Sequence, residues 1–98
     1  MRFARNVQFQ LKNGKEAEFK RVFENDVLPI LKKEHGFQDE LTLVNSNRAM
    51  GISLWDNKDS AEKYHTATYP QILEKLSPVI EGTPNVETYE VSATTLRA

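Results

Sequence analysis

The hydrophobic period of this chain switches between two and about three and a half in a fixed order, and that order constrains the fold more than any single motif. Residues 3 to 11 alternate, with Phe3, Val7, Phe9 and Leu11 on one side and Ala4, Asn6, Gln8 and Gln10 on the other. This is the pattern of a half-buried strand, and Arg5 is the one break in its apolar set. After the turn at Lys12-Asn13-Gly14, Phe19, Val22, Phe23, Val27, Ile30 and Leu31 recur at threes and fours, which predicts an amphipathic helix from 15 to about 33. Pro29 is expected to kink that helix or restart it. Lys32, Lys33 and His35 suit the negative helix end, and Gly36 follows as a C-cap.

Alternation returns at Phe37, Leu41 and Leu43. It continues past the turn Asn45-Ser46-Asn47-Arg48 at Met50, Ile52 and Leu54, which together read as a hairpin. Asp56 to Ser60 offers several N-caps for a second helix from about 59 to 68, restarting at Pro70 with Ile72, Leu73 and Leu76 on its apolar side. Gly82-Thr83-Pro84 reads as a loop, and Val86 to Thr94 as the last strand. The order is βαββαβ, an α+β, ferredoxin-like arrangement in which two helices cover one face of a four-stranded antiparallel sheet. Right-handed crossovers are expected to set strands one and three side by side in the centre, and parallel.

Length and charge narrow the class. Ninety-eight residues make one domain, spanning 1-98. With no cysteine there is neither a disulfide framework nor a thiolate metal site, which suits a reducing compartment. Thirteen basic and fourteen acidic residues are interspersed, so there is no electrostatic footprint for nucleic acid and no polybasic membrane signal. The amino terminus lacks a signal-like apolar region, and no apolar run approaches the ~20 residues needed to span a bilayer. The expectation is a soluble cytoplasmic protein with no nucleic-acid or membrane partner. No histidines or carboxylates have metal-site spacing on one element, no glycine-rich phosphate loop follows a strand, and there is no nucleophile elbow.

The faces of the sheet decide where a site can lie. Val7, Phe9, Leu41, Leu43, Ile52, Leu54, Tyr89 and Val91 are assigned to the helix-covered face. Asn6, Gln8, Gln10, Gln38, Thr42, Val44, Gly51, Ser53, Trp55, Val86 and Thr88 then fall on the open one. That open face is either wet, as in many antiparallel sheets, or covered by a second copy that encloses a polar-lined cavity. Trp55 and the valines favour the homodimer.

The block Ser53-Leu54-Trp55-Asp56, followed by Ser60-Ala61-Glu62-Lys63-Tyr64, resembles the third-strand and second-helix signature of the antibiotic-biosynthesis-monooxygenase-like family, in the dimeric α+β barrel superfamily. Leu28-Pro29-Ile30-Leu31 with Gly36-Phe37 resembles its first-helix end, and Val86-Glu87-Thr88-Tyr89-Glu90-Val91 its last strand. The resemblance spans nearly the whole chain. It implies a homodimer with a ligand pocket, and members that include cofactor-independent oxygenases of phenols and quinols and haem-degrading monooxygenases.

The haem-degrading pattern pairs a first-strand asparagine, here Asn6, with an aromatic nine residues beyond the strand-end tryptophan, here Tyr64. Its haem-ligating histidine falls on Glu74, so haem has no proximal ligand in this pattern. The quinone-oxygenase pattern matches at Trp55, but its asparagine four residues earlier is Gly51 and its tyrosine six later is Ala61. The candidate catalytic residues are Asn6 and Trp55, which the resemblance implies, and His65, which is offered as a general base by its own chemistry. Gln8, Ser53, Trp55 and Tyr64 are the candidate binding residues for a small aromatic, with no cofactor and no metal.

Each has a plainer role open to it. Trp55 can plug a strand end, Asn6 can bond across strands, Tyr64 can pack in the core, and His65 can sit at a helix rim. The functional expectation is a cofactor-independent monooxygenase acting on a small phenol or quinol; the alternative is a non-catalytic binding or structural dimer of the same fold.

Overall fold

The alternating segment at the start of the chain is β1, Phe3–Leu11, and it lies inside a four-stranded sheet of order β2-β3-β1-β4. The computed structural model describes residues 1–96. After β1 come α1 (Glu16–Val22), a π-helical turn (Phe23–Val27) and α2 (Leu28–Lys32). The hairpin is β2 (Phe37–Asn45) and β3 (Arg48–Trp55). The second helical segment divides into α3 (Lys58–Ala67) and α4 (Tyr69–Leu76), and β4 runs Ile80–Glu90.

The two prolines act where the spacing predicts, each in its own way. Pro29 sits in the first turn of α2, immediately after the π-helical turn, where the Leu28 N–H reaches back to the Phe23 carbonyl. One wide turn absorbs what would otherwise be a sharp kink. Pro70 opens α4, where its missing N–H costs nothing. Asn57 caps α3, its side chain accepting from the Ser60 N–H at 3.0 Å. Gly36 has φ +82°, and a Cβ there would collide with the Asp56 and Ser60 side chains. With the Asp56 N–H donating to the Gly36 carbonyl at 2.9 Å, this glycine ties the end of α2 to the start of α3.

Three expectations are corrected. The central pair β1–β3 is antiparallel, as is every neighbouring pair in the sheet. Each helical crossover connects strands that are not adjacent, and β3 enters between β1 and β2 running the other way. The last strand begins at Ile80 and ends at Glu90 instead of running from Val86 to Thr94. Gly82-Thr83-Pro84 is an irregularity within β4, opposite the register shift between Gln8 and Gln10, and not a loop before it.

The third correction moves the site. Registry places Phe3 against Trp55, Arg5 against Ser53, Val7 against Gly51 and Phe9 against Ala49. Glu40 and Thr42 lie against Ser53 and Gly51, and Thr88 and Val86 against Arg5 and Val7. All of these share the helix-covered face. Leu41, Leu43, Ile52, Leu54 and Tyr89, expected beneath the helices, are on the open face with Asn6 and Gln8.

The physical reason is volume. The helices present large rings, Phe19, Phe23, Tyr64 and Tyr69, and β1 adds Phe9 and Arg5. The β3 strand therefore meets them with the small residues Ala49, Gly51 and Ser53 before Trp55 closes the layer at its end. A Cβ at Gly51 would already stand 4.0 Å from the Phe23 ring. Two leucines and an isoleucine in the same layer would overfill it.

Candidate functional site

Arg5 breaks the apolar alternation of β1, and its place in the register carries it under the helices, where it is only 2% exposed. The guanidinium carbon lies 4.9 Å from the Tyr64 ring centre and 4.5 Å from that of Tyr69. One Nη donates to His65 Nδ1 at 3.1 Å. Arginine is only a donor, so Nδ1 accepts and the imidazole proton is on Nε2. His65 stacks in turn on Tyr69, with ring centres 5.4 Å apart. Burial lowers the Arg5 pKa, and the tyrosines and Glu40 offset part of that. A guanidinium nevertheless stays charged in a protein. Among the described residues no carboxylate oxygen lies within 4.0 Å of it, since every such ion pair is on a helix surface.

Glu40 enters the same layer from β2. Burial pushes its carboxyl pKa up to about 8, while a hydrogen bond from Thr42 Oγ1 at 3.0 Å and the charge of Arg5 pull it partly back. The carboxyl is therefore mostly neutral at pH 7 and titrates near the working range of a general base. Room for it comes from Gly51, where an added Cβ would stand 3.0 Å from Glu40 Oε2.

Trp55 ends β3 and is fully buried, at 0% exposure. Its Nε1 donates to Ser53 Oγ at 2.9 Å, so two of the expected binding residues are bonded to each other. The indole meets Phe37 edge-on at 5.6 Å and lies tilted against Tyr64 at 4.8 Å. Burial raises the phenol pKa of Tyr64 well above the ordinary range, against the pull of Arg5. The Tyr69 hydroxyl is buried without a hydrogen-bond partner.

These groups surround a chamber of about 20 Å³ lined by Arg5, Glu40, Ser53, Tyr64 and Tyr69 together with apolar side chains. It is roughly the size of one water molecule. A larger cleft of about 410 Å³ borders it on each side. One lies between α3 and strands β1 and β4 and includes Arg5 and His65. The other lies between the first helical segment and β2 and includes Glu40 and Thr42. A buried cation and a half-buried, mostly neutral acid therefore stand at the inner ends of two clefts. Such a pair can bind an oxygen anion on one side and exchange a proton on the other. Among the described residues no group of three or more His, Asp or Glu side chains could hold a metal ion. No helix of the described residues is long and apolar enough to cross a membrane.

Of the residues singled out in the sequence, Ser53, Trp55, Tyr64 and His65 come together here, beneath the helices and not on the open face. Asn6 and Gln8 do not join them. Asn6 points to the other side of the sheet, opposite Ile52 and Glu87, with its Oδ1 buried and unpaired. Gln8 is exposed and borders a hollow of about 540 Å³ at the hairpin end of the open face. The sequence reading missed Arg5 and Glu40 as site residues. Both carried a signal, because each is a charged residue inside an alternating strand. Gly51 and Ala61, where an asparagine and a tyrosine were expected, also border this region, and the space left at Gly51 is taken by Glu40.

No family model matches the sequence, and no curated protein matches it either. Solved structures do. A protein of unknown function from Nitrosomonas europaea superposes with a TM-score of 0.84 at 19% identity, covering 99% of this chain and 95% of that one. SnoaB, a cofactor-independent oxygenase from Streptomyces nogalater, gives 0.79 at 16% identity over 98% of each chain. The ActVA-Orf6 monooxygenase of Streptomyces coelicolor, solved with nanaomycin D, gives 0.78 at 14% identity, covering 98% of this chain and 92% of that one. The structures it resembles also include putative antibiotic biosynthesis monooxygenases from Nitrosomonas europaea and Bordetella bronchiseptica, and this chain shares their ferredoxin-like α+β fold.

Proposed function

We propose that this protein is a cofactor-independent monooxygenase of small phenols or quinols, acting as a homodimer whose reaction takes place beneath the helices. The observation that carries the reading is the half-buried Glu40 carboxyl, with a pKa of about 8, sharing one chamber with the Arg5 cation. A general base works best when its pKa is close to the working pH. The fold shared with SnoaB and ActVA-Orf6 supports the reaction class, although Gly51 and Ala61 depart from the expected pattern.

In this mechanism the Glu40 carboxylate takes the phenolic proton, and Arg5 holds the resulting oxygen anion. The activated ring carbon gives its electrons to dioxygen, forming a new C–O bond and a ring peroxide. Glu40 returns its proton to the outer peroxide oxygen. The ring carbon then loses its hydrogen as a proton, the O–O bond breaks, and the products are a quinone and one water. A phenol and one dioxygen supply every atom. Ser53 and Tyr64 line the chamber that joins Glu40 to Arg5, Trp55 packs behind them, and His65 fixes the guanidinium.

The open sheet face supports the dimer. Leu41, Leu43 and Tyr89 are 57%, 47% and 51% exposed there, beside half-buried Met50 and Ile52. A contiguous apolar face of this kind marks an interaction surface. Asn6 and Gln8 then belong to the interface and its hollow, not to the reacting centre.

The small chamber favours one alternative, a binding or structural dimer in which these side chains only pack. Incubating the protein with a naphthol under isotopically heavy dioxygen separates the two. The oxygenase reading expects a naphthoquinone carrying one heavy oxygen, formed well above the rate without protein. Bound but unoxidised naphthol would support the binding module instead.

A further inference from the structure

We infer that Arg5 anchors the anionic head group of an aromatic acid whose ring lies in the cleft between α3 and β4. This names a substrate class for the site proposed above, but the binding claim does not depend on catalysis. A guanidinium taken out of water carries a desolvation penalty that a counter-charge normally offsets. Arg5 has none within 4.0 Å among the described residues. What it has instead is two tyrosine faces, one imidazole nitrogen and, elsewhere in the same chamber, the mostly neutral Glu40 carboxyl. The guanidinium carbon lies 4.9 and 4.5 Å from the two ring centres, and only one of its N–H groups is taken up by His65, so N–H donors remain that a carboxylate can accept from.

A second observation points the same way. Tyr69 is 6% exposed, lines the chamber beside Arg5, and its hydroxyl has no partner. A buried donor left unpaired is costly, so the chamber is short of an acceptor at the Tyr69 hydroxyl as well as at Arg5.

The cleft fits the rest of such a molecule. Its volume of about 410 Å³ lies within the range of small-molecule sites, roughly 300–1,000 Å³. Phe3, Ala61 and Val86 give it apolar walls, and Thr88, opposite Arg5 in the sheet, gives it a hydroxyl. Glu62 also borders the cleft, but its carboxylate is 3.8 Å from the Lys58 ammonium one helical turn away. The cleft is therefore cationic at its inner end and apolar along its walls, which selects an acid attached to a ring.

The test uses salicylate and its neutral isostere salicylamide, titrated into the full chain near neutral pH and low salt. Trp55 fluorescence and calorimetry are the readouts. Salicylate is expected to bind at least tenfold more tightly than salicylamide, and Arg5→Met is expected to reduce that preference to within twofold. Equal affinity for acid and amide in the unaltered protein would overturn the inference even if Arg5→Met does not fold. So would an unchanged preference in a folded Arg5→Met, or no binding of either probe at millimolar concentration. Oxygen uptake is recorded in parallel. Salicylate held on Arg5, together with no oxygenation of the naphthol, keeps this inference and removes the oxygenase reading. Oxygenation of the naphthol without any preference for the acid does the reverse.

Discussion

The Arg5 guanidinium and the His65 imidazole, sixty residues apart in the chain, meet at 3.1 Å, with the arginine donating to Nδ1. This contact gives His65 a role different from the base its position suggests. Its Nδ1 lone pair is already engaged, and in the proposed mechanism it positions Arg5. Replacing His65 by alanine leaves a buried charged donor without its acceptor and is expected to cost about 1–3 kcal/mol in urea unfolding. His65→Asn, whose amide oxygen can stand near the Nδ1 position, is expected to recover most of that loss. Equal losses in both variants would mean that the ring matters for packing and not for its hydrogen bond.

Glu40 makes stability depend on pH in a defined direction. Its carboxyl pKa is raised from 4.5 to about 8 in the fold, so the folded state holds a proton that the unfolded chain releases. Stability from this group is complete below about pH 4.5 and is lost as pH rises towards and through 8. Unfolding free energies measured near pH 5.5 and pH 8.5 are expected to fall by a few kcal/mol at most in the native protein. In Glu40→Gln, which keeps the shape without the titration, the fall is expected to be much smaller. An identical pH dependence in both would place the effect elsewhere.

The bond between Trp55 and Ser53 offers a cleaner measure of packing. Ser53→Ala removes the acceptor 2.9 Å from a fully buried indole N–H and is expected to cost about 1–3 kcal/mol. In Trp55→Phe the donor is already gone, so adding Ser53→Ala is expected to cost much less. A double-mutant cycle with no coupling would contradict the bond.

On the open face, Leu41 lies directly against Ile52 at the centre of the exposed apolar surface. Leu41→Glu paired with Ile52→Lys is expected to leave the fold intact and shift the protein to monomer in native mass spectrometry. A native protein that is already monomeric at micromolar concentration would remove the dimer.

Much of this architecture is legible in the residues themselves. The alternation in β1, the threes and fours of the first helical segment, the hairpin around Asn45 to Arg48 and the restart at Pro70 all follow from local chemistry that tertiary packing leaves in place. The start of β4 was hidden because Gly82-Thr83-Pro84 has loop chemistry and tertiary pairing overrides it with an irregular strand. The faces of β2, β3 and β4 were assigned the wrong way round for a related reason. Alternation separates two faces but does not say which one the helices cover, and here volume decides, with the small residues lying under the large helical rings. The same inversion concealed the site. Arg5 and Glu40 stood out as charges within alternating strands, yet their meeting under the helices depends on the registry of three strands, which no local pattern contains.

The central claim is that chemistry occurs beneath the helices at Glu40 and Arg5, and not on the open face at Asn6. The most direct measurement is the rate of heavy-oxygen incorporation into a naphthol by Glu40→Gln and by Asn6→Ala, each checked for native fold by circular dichroism. The account predicts a loss of about a hundredfold or more in Glu40→Gln, the scale of a removed general base, and a change within about threefold in Asn6→Ala. Full activity in Glu40→Gln, with activity abolished in Asn6→Ala, would contradict it and move the site to the other face of the sheet.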